Sequence, residues 1–428
     1  METEKPKVSS VKAIKGGTLI DGTGNEPIRN SLIIIEDSKI VEVGQVGQIK
    51  IPSGAEVIDA SGRVVMPGLI DCHTHISFPV TPFAATGFGA LEYSQADRTI
   101  WAVVAVKKLI EAGVTTIRDM GSTGHIDLAV RDAIKRGDIV GPRIFGSDAG
   151  LTITGGHMDV LKNVRSLAFD LPLEYTQNQR PTADGVEECI KVVREQIRVG
   201  ADQIKMWATG GVMETTERAL IREYSDEEIK AIVKEAKKSG RFVASHAVGP
   251  PDAIKVCVEE GVRSIEHGIF NDEESIRMMS EKGTYLVPTM VAYHLLTAPY
   301  MPQVIKEVAN RAVIAHEKTL KMAKKAGIKI ALGTDSGSPF GSVHGEVQHK
   351  ELELMATRGL TAMESIVAAT KTAAECIGIG NKTGTIEPGK FADLIVIDGN
   401  PLDNIKVLQE KGCIKMVMKE GKVYLKNP

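Results

Sequence analysis

His73 and His75 stand two apart in GLIDCHTH, and histidines two apart on an extended strand point to one face, where their nitrogens can converge on a single ion. The pair alone is weak evidence, because strand histidines also occur with nothing to hold. His246 in VASHA, His267 in SIEHG and Asp335 in LGTDSG change the balance, since each closes a short apolar run of its own. Imidazole nitrogens and a carboxylate oxygen are the donors that zinc, manganese, cobalt and iron accept. Four histidines and an aspartate in equivalent places therefore read as a metal cluster. Lys205 lies within the apolar run DQIKMWA, where an unpaired ammonium is expensive to bury. A plain ammonium cannot ligate metal, so its residue type by itself points to a salt bridge with an acid such as Asp119 or Asp335.

Two more residues fall on connections at the same ends of these runs. His157 follows the glycine pair of TGGHMD, and Tyr224 precedes Ser225. Each is a candidate for binding substrate. The alternatives are a loop-capping histidine for the first and a hydrophobic staple beside Ser225 for the second. Arg118 and Asp119, closing GVTTIRDM, read as an internal ion pair behind the site. Tyr293, His294 and His344 follow the last two runs and carry no assignment.

The elements that must bring these residues together are eight apolar runs: MPGLIDCHTH, GVTTIRDM, PRIFGSD, DQIKMWA, RFVASHA, VRSIEHG, TYLVPTM and IKIALGTD. Helical stretches with apolar positions at period 3.6 lie between most of them, among them TIWAVVAVKKLIEAG, VEECIKVVREQIRVG and SDEEIKAIVKEAKKSG. The last opens with Ser225 and Glu228 as a capping box. Alternating strands and helices of this number predict an α/β fold, a (β/α)₈ TIM barrel, whose sites form at the C-terminal ends of the strands. The stretch from Asp148 to Gly200 is longer than a bare crossover needs and is expected to build part of the site. Short β-branched runs with turns flank the barrel on both sides, SLIIIEDSKIVEVG before it and FADLIVIDGNPL with IKMVMKEGKVYLK after it. Neither end can bury a core alone, so the two termini are expected to pair into a small β-sandwich. The expected division is residues 1–66 plus 376–428 for the sandwich and 67–375 for the barrel.

Composition narrows the partners. The chain has 428 residues, 43% hydrophobic and 25% charged, with a formal net charge of −3 and no long basic run. That leaves no electrostatic footprint for nucleic acid or an anionic membrane. The polar start METEKPKVSSVKAIKGG has no apolar signal stretch, and a cytoplasmic location is expected. Five scattered cysteines, Cys72, Cys189, Cys257, Cys376 and Cys413, read as buried thiols.

GLIDCHTH, Lys205 in its strand, His246, His267, GTDSG and the closing GTIEPGKFADLIVID together resemble the amidohydrolase superfamily over nearly the whole chain. TGGHMD, KMWATGGV and SIEHG are similar to the branch that contains prolidase-like Xaa-Pro dipeptidases, arginine/lysine carboxypeptidases and ochratoxin-hydrolysing amidases. In members with this pattern CO₂ carboxylates the barrel lysine, and the resemblance implies for Lys205 a carbamate bridging two divalent ions, expected to be Zn²⁺. It also implies His73, His75 and Asp335 on one ion, His246 and His267 on the other, and a hydroxide between them. Such ions lower the pKa of bound water from about 15.7 toward 7. Asp335 would accept the proton and pass it to the leaving amine. The implied substrate is a small molecule or dipeptide, cut at an amide beside a free carboxylate that His157 and Tyr224 hold. A homo-oligomer is expected.

Two other functions compete. A mononuclear deaminase of a heterocyclic substrate would normally place a glutamate soon after the fifth-strand histidine, but His246 is followed by Ala247, Val248, Gly249 and Pro250, and Lys205 would have no metal role. A non-catalytic scaffold on the same fold would have no use for a full cluster of polar groups that are costly to bury.

Overall fold

The computed structural model describes residues 10–78, 93–159, 182–212, 221–337 and 342–427. The chain opens with six short strands: β1 Val11–Lys15, β2 Thr18–Leu19, β3 Ser31–Glu36, β4 Lys39–Gln45, β5 Glu56–Asp59 and β6 Val64–Pro67. β3 and β4 form a hairpin whose turn places Asp37 at φ 51°, a left-handed conformation that Asp tolerates better than most side chains.

Seven parallel strands follow. β7 Leu69–Thr74, β8 Val114–Asp119 and β9 Arg143–Gly146 form one sheet. β10 Ile204–Trp207, β11 Val243–Ala247, β12 Ser264–His267 and β13 Tyr285–Val287 form a second. All but two residues of these strands are buried, as expected of parallel strands covered on both faces. The covering helices include Gln95–Glu111, Gly185–Val199 and Asp226–Lys238, each with its apolar stripe turned inward. The capping box read at Ser225 and Glu228 is formed.

The run IKIALGTD does not make an eighth continuous strand. It contributes hydrogen bonds from Ala331 to Leu286, from Cys72 to Leu332 and from Asp335 to His73, with isolated bridges Leu286↔Ile330 and Thr74↔Ser336. The reason is local. Gly333 packs so tightly that a Cβ would lie 2.3 Å from Val287 Cγ1, and Asp335 turns to φ 57°, so the backbone leaves the extended conformation at Asp335. A parallel bridge Leu151↔Met206 and its hydrogen bonds connect the segment after β9 to β10.

The last strands, β14 Leu394–Ile397, β15 Ile414–Lys419 and β16 Lys422–Lys426, return to the start of the chain. β14 pairs antiparallel with β6, Leu394 opposite Pro67, within a sheet of order β16-β15-β14-β6-β2. A second sheet has the order β4-β3-β1-β5. Ile14, Ile33 and Ile35 of that sheet share one buried cluster with Val65, Leu394, Val396, Met416 and Met418 of the other. Among the described residues, no helix is long and apolar enough to cross a membrane.

Candidate metal centre

The ends of β7, β10, β11 and β12 and the turn at Asp335 bring the predicted residues to one place. Nε2 of His75 lies 3.2 Å and Nε2 of His73 3.6 Å from Asp335 Oδ1. These three residues each offer a donor atom within 4.8 Å of the others. The rings continue outward from there: His73 is 5.0 Å from His267 between centroids, His267 is 4.5 Å from His246, and His246 is stacked on His157 at 4.7 Å. Lys205 is fully buried on β10, one strand from His246, and its charge acts on His73, His246, His267 and Asp335.

What each imidazole offers is settled by its other nitrogen. Nδ1 of His73 meets Glu266 Oε2 at 2.9 Å, Nδ1 of His75 meets the Gly121 carbonyl at 3.0 Å, and Nδ1 of His267 meets Thr289 Oγ1 at 2.6 Å. His246 is turned the other way, with Nε2 at 3.1 Å from the Gly210 carbonyl. That leaves Nε2 of His73, His75 and His267 and Nδ1 of His246 as the nitrogens that could accept an ion. Burial first, and then the charges of neighbouring Lys205 and histidines, hold His73 and His246 well below the usual imidazole range. His267 is also held low, by burial against the pull of Asp335. Neutral imidazoles keep a lone pair for a cation. Burial pushes the Asp335 carboxyl up, but His75, His267 and Lys205 bring it net below its ordinary value, so it stays an anion. Neutral nitrogen donors beside a carboxylate fit a divalent transition ion.

One sequence expectation is corrected. Arg118 does not pair with Asp119: neighbours on a strand point to opposite faces, and Arg118 Nη2 instead meets Glu266 Oε1 at 2.7 Å in a fully buried pair. Glu266 thus joins Arg118 to His73, a role that SIEHG did not reveal. Tyr224, the other candidate for binding substrate, directly follows Glu223, whose carboxylate accepts from His157 N. It is 1% exposed in the main core, and its hydroxyl meets no hydrogen-bond partner among the described residues. Burial, followed by Cys189 and the acids Glu223, Glu228 and Asp184, pushes that hydroxyl well up. His157 does reach the cluster, its backbone N–H donating to Glu223 at 2.5 Å and its ring filling space that exists only because residue 211 is glycine. The unassigned Tyr293 sits against His267 at 5.6 Å and feels the charge of Asp335.

The backbone around this cluster is strained. His267, Thr289 and Asp335 all take positive φ, at 69°, 54° and 57°, and non-glycine residues hold such angles only where surroundings over-determine them. Asp71 supplies part of that restraint, accepting from His73 N, from Thr334 N and Oγ1, and from Gln348 Nε2. Gly337 shows how little room remains: at φ 86°, a Cβ there would lie 1.9 Å from the His75 carbonyl. Gly337→Ala is expected to push the His75 backbone away from Asp335. Metal retained after dialysis should fall at least ~10-fold, by analogy with lost outer partners of metal ligands, and unchanged retention would contradict the assignment of His75.

A family model described as the Amidohydrolase family matches residues 64–424. The chain is 34% identical to ochratoxinase of Aspergillus niger across 99% of its own length and 88% of that protein's. The chain belongs to the amidohydrolase family. Among solved structures, it is similar to a Xaa-Pro dipeptidase with methionine bound in its active site, at 33% identity and TM-score 0.87, covering 97% of this chain and 100% of that one. It is also similar to the crystal structure of A. niger ochratoxinase, at 32% identity and TM-score 0.86, covering 98% and 96%. This amidohydrolase is a metal-dependent hydrolase acting on amide bonds, and the His73, His75 and Asp335 cluster is a site of the kind such an ion needs.

Proposed function

We propose that this amidohydrolase holds two divalent ions, Zn²⁺ by preference, and cleaves the amide bond of a dipeptide or N-acyl amino acid beside a free carboxylate. One observation supports it above the rest: Lys205 is wholly buried and its charge acts on three histidines and Asp335, and between two bound cations that place would suit an anion better than an ammonium. Addition of CO₂ to the Lys205 amine, with loss of a proton, gives that anion as a carbamate. His73, His75 and Asp335 would hold one ion and His246 and His267 the other, with Lys205 shared. When bound, such ions polarise the scissile carbonyl and make water a nucleophile at neutral pH.

The chain's own groups do the rest. Asp335, kept ionised, accepts the proton of the attacking water and delivers it to the departing amine. His157, on the rim beside His246, holds the substrate carboxylate so that the neighbouring carbonyl faces the cluster. The relatives support this substrate class, because an ochratoxinase and a Xaa-Pro dipeptidase are both among them. In this reading the seven strands and the interrupted eighth run close into a barrel over 67–375, and the two terminal sheets form one sandwich of 1–66 plus 376–428.

Amidating the carboxylate of a good substrate should lower kcat/KM by roughly 10–100-fold, the value of a charge-assisted hydrogen bond. His157→Ala should bring the two forms to within about a factor of two of each other. Equal turnover of acid and amide by the unaltered enzyme would refute the carboxylate anchor. A metal content of one ion per chain in fully active enzyme would refute the paired-ion reading and favour the mononuclear deaminase.

A further inference from the structure

The helix Val347–Arg358 lies outside the cluster and supplies it with no ligand, yet of its four buried polar residues two that lie one turn apart, Gln348 and Glu351, are buried completely. Gln348 reaches the turn that carries Asp335, donating to Asp71 Oδ2 at 2.8 Å and to Ser336 Oγ at 3.1 Å. Glu351 reaches a different turn. Its Oε1 accepts from Met290 N at 2.9 Å and its Oε2 from Val291 N at 2.7 Å.

That second turn has no cap of its own. Thr289, the residue before the helix Met290–Leu295, is left-handed and its side chain accepts no bond from the helix. Its hydroxyl is committed elsewhere. It donates to the Pro288 carbonyl at 2.6 Å, and with its one proton used there it must accept from His267 Nδ1, also at 2.6 Å. The Thr289 oxygen therefore sets the His267 tautomer and turns Nε2 toward the cluster. Tyr293 on the same short helix packs against the His267 ring. Two first-turn N–H groups with no partner in their own helix are satisfied by one carboxylate from 60 residues on, and the left-handed Thr289 is fixed between that clamp and β13.

We propose that Glu351 is a positioning residue of this enzyme, acting through Thr289 to fix the tautomer and orientation of His267. The inference rests on His267 being a ligand, as the proposed function has it, but the link from Glu351 to His267 exists in the metal-free chain and can be read there. In Glu351→Gln, one of the two N–H groups faces an amide nitrogen instead of an oxygen. The Thr289 turn then loses half its clamp.

The test uses metal-free protein labelled with ¹⁵N-histidine, together with activity and metal affinity of the reconstituted enzyme. The intact protein should show a His267 Nδ1–H signal protected from solvent exchange. Glu351→Gln should lose that protection, and the reconstituted enzyme should lose roughly 10–100-fold in metal affinity or kcat, the effect typical of an outer partner of a ligand. Glu353→Gln, on the same helix but bonded to Lys350 and Gln409, serves as control and should change neither. A double-mutant cycle with Thr289→Ala decides the route: once Thr289 lacks its hydroxyl, Glu351→Gln should cost little more. If Glu351→Gln does not fold, Glu351→Asp, whose carboxylate is one methylene short, runs the same cycle. Retained protection of the His267 proton, or full additivity with Thr289→Ala, would overturn the proposal. A protected proton that depends on Glu351 in an enzyme with no amide-hydrolysing activity would uphold it while removing the proposed function.

Discussion

Lys205→Ala should reduce kcat/KM by about three orders of magnitude or more, with part of the activity restored by formate, acetate or propionate. Preorganised charge at a reacting centre is commonly worth 10²–10³ in rate per group, and Lys205 is central to the cluster. It is wholly buried, and its charge acts on three histidines and on Asp335 at once. Removing the side chain leaves a cavity the length of a lysine among the ligands. A small carboxylic acid can occupy it and return two oxygens to the place of the carbamate, and an amine of similar size cannot. Full activity in Lys205→Ala would end the bridging assignment, and rescue by methylamine in place of acetate would show that the ammonium itself is the working group.

The second large effect concerns Arg118 and Glu266. Arg118→Met should destabilise the protein by about 3–5 kcal/mol, because removal of one partner leaves the other charge buried without compensation. The pair is 2% and 0% exposed, at 2.7 Å, so water cannot relieve it. Arg118→Met with Glu266→Met should recover most of that stability, since two apolar side chains of similar volume replace two charges. Metal retention should not recover with it. Glu266 also holds Nδ1 of His73, so the double variant still lacks the acceptor that orients this ring. Urea unfolding beside metal titration separates the two quantities. Recovery of both would mean that Glu266 serves stability alone.

The gathering of these histidines was readable in the sequence because strand chemistry repeats. His73, His75, His246 and His267 each stand at the end of a short apolar run, and parallel strands deliver their ends to the same edge. The capping box at Ser225 was readable for a similar reason, being local. Partners far apart in sequence were not. Glu266 sits beside His267 yet serves His73, 193 residues away, and Glu351 serves a turn about 60 residues earlier. Nothing in SIEHG or in KELEL announces either. Arg118 and Asp119 misled because adjacency in sequence means opposite faces on a strand. The eighth run reads as a strand by its apolar pattern, whereas the tight fit of Gly333 and the left-handed Asp335 depend on neighbours from other strands.

The pairing of β6 with β14 also sets an order of events during synthesis. β6 runs through Gly68 directly into β7, which carries His73 and His75, yet its neighbour β14 lies roughly 330 residues later. At ribosomal rates of about 5–20 residues per second, the first strand of the site waits on the order of tens of seconds for the partner that covers its lead-in. Throughout that interval the edge of β6 is an open template for another nascent chain on the same message. A chain that ended before Leu394 would carry His73, His75, Lys205, His246, His267 and Asp335 with that edge still exposed.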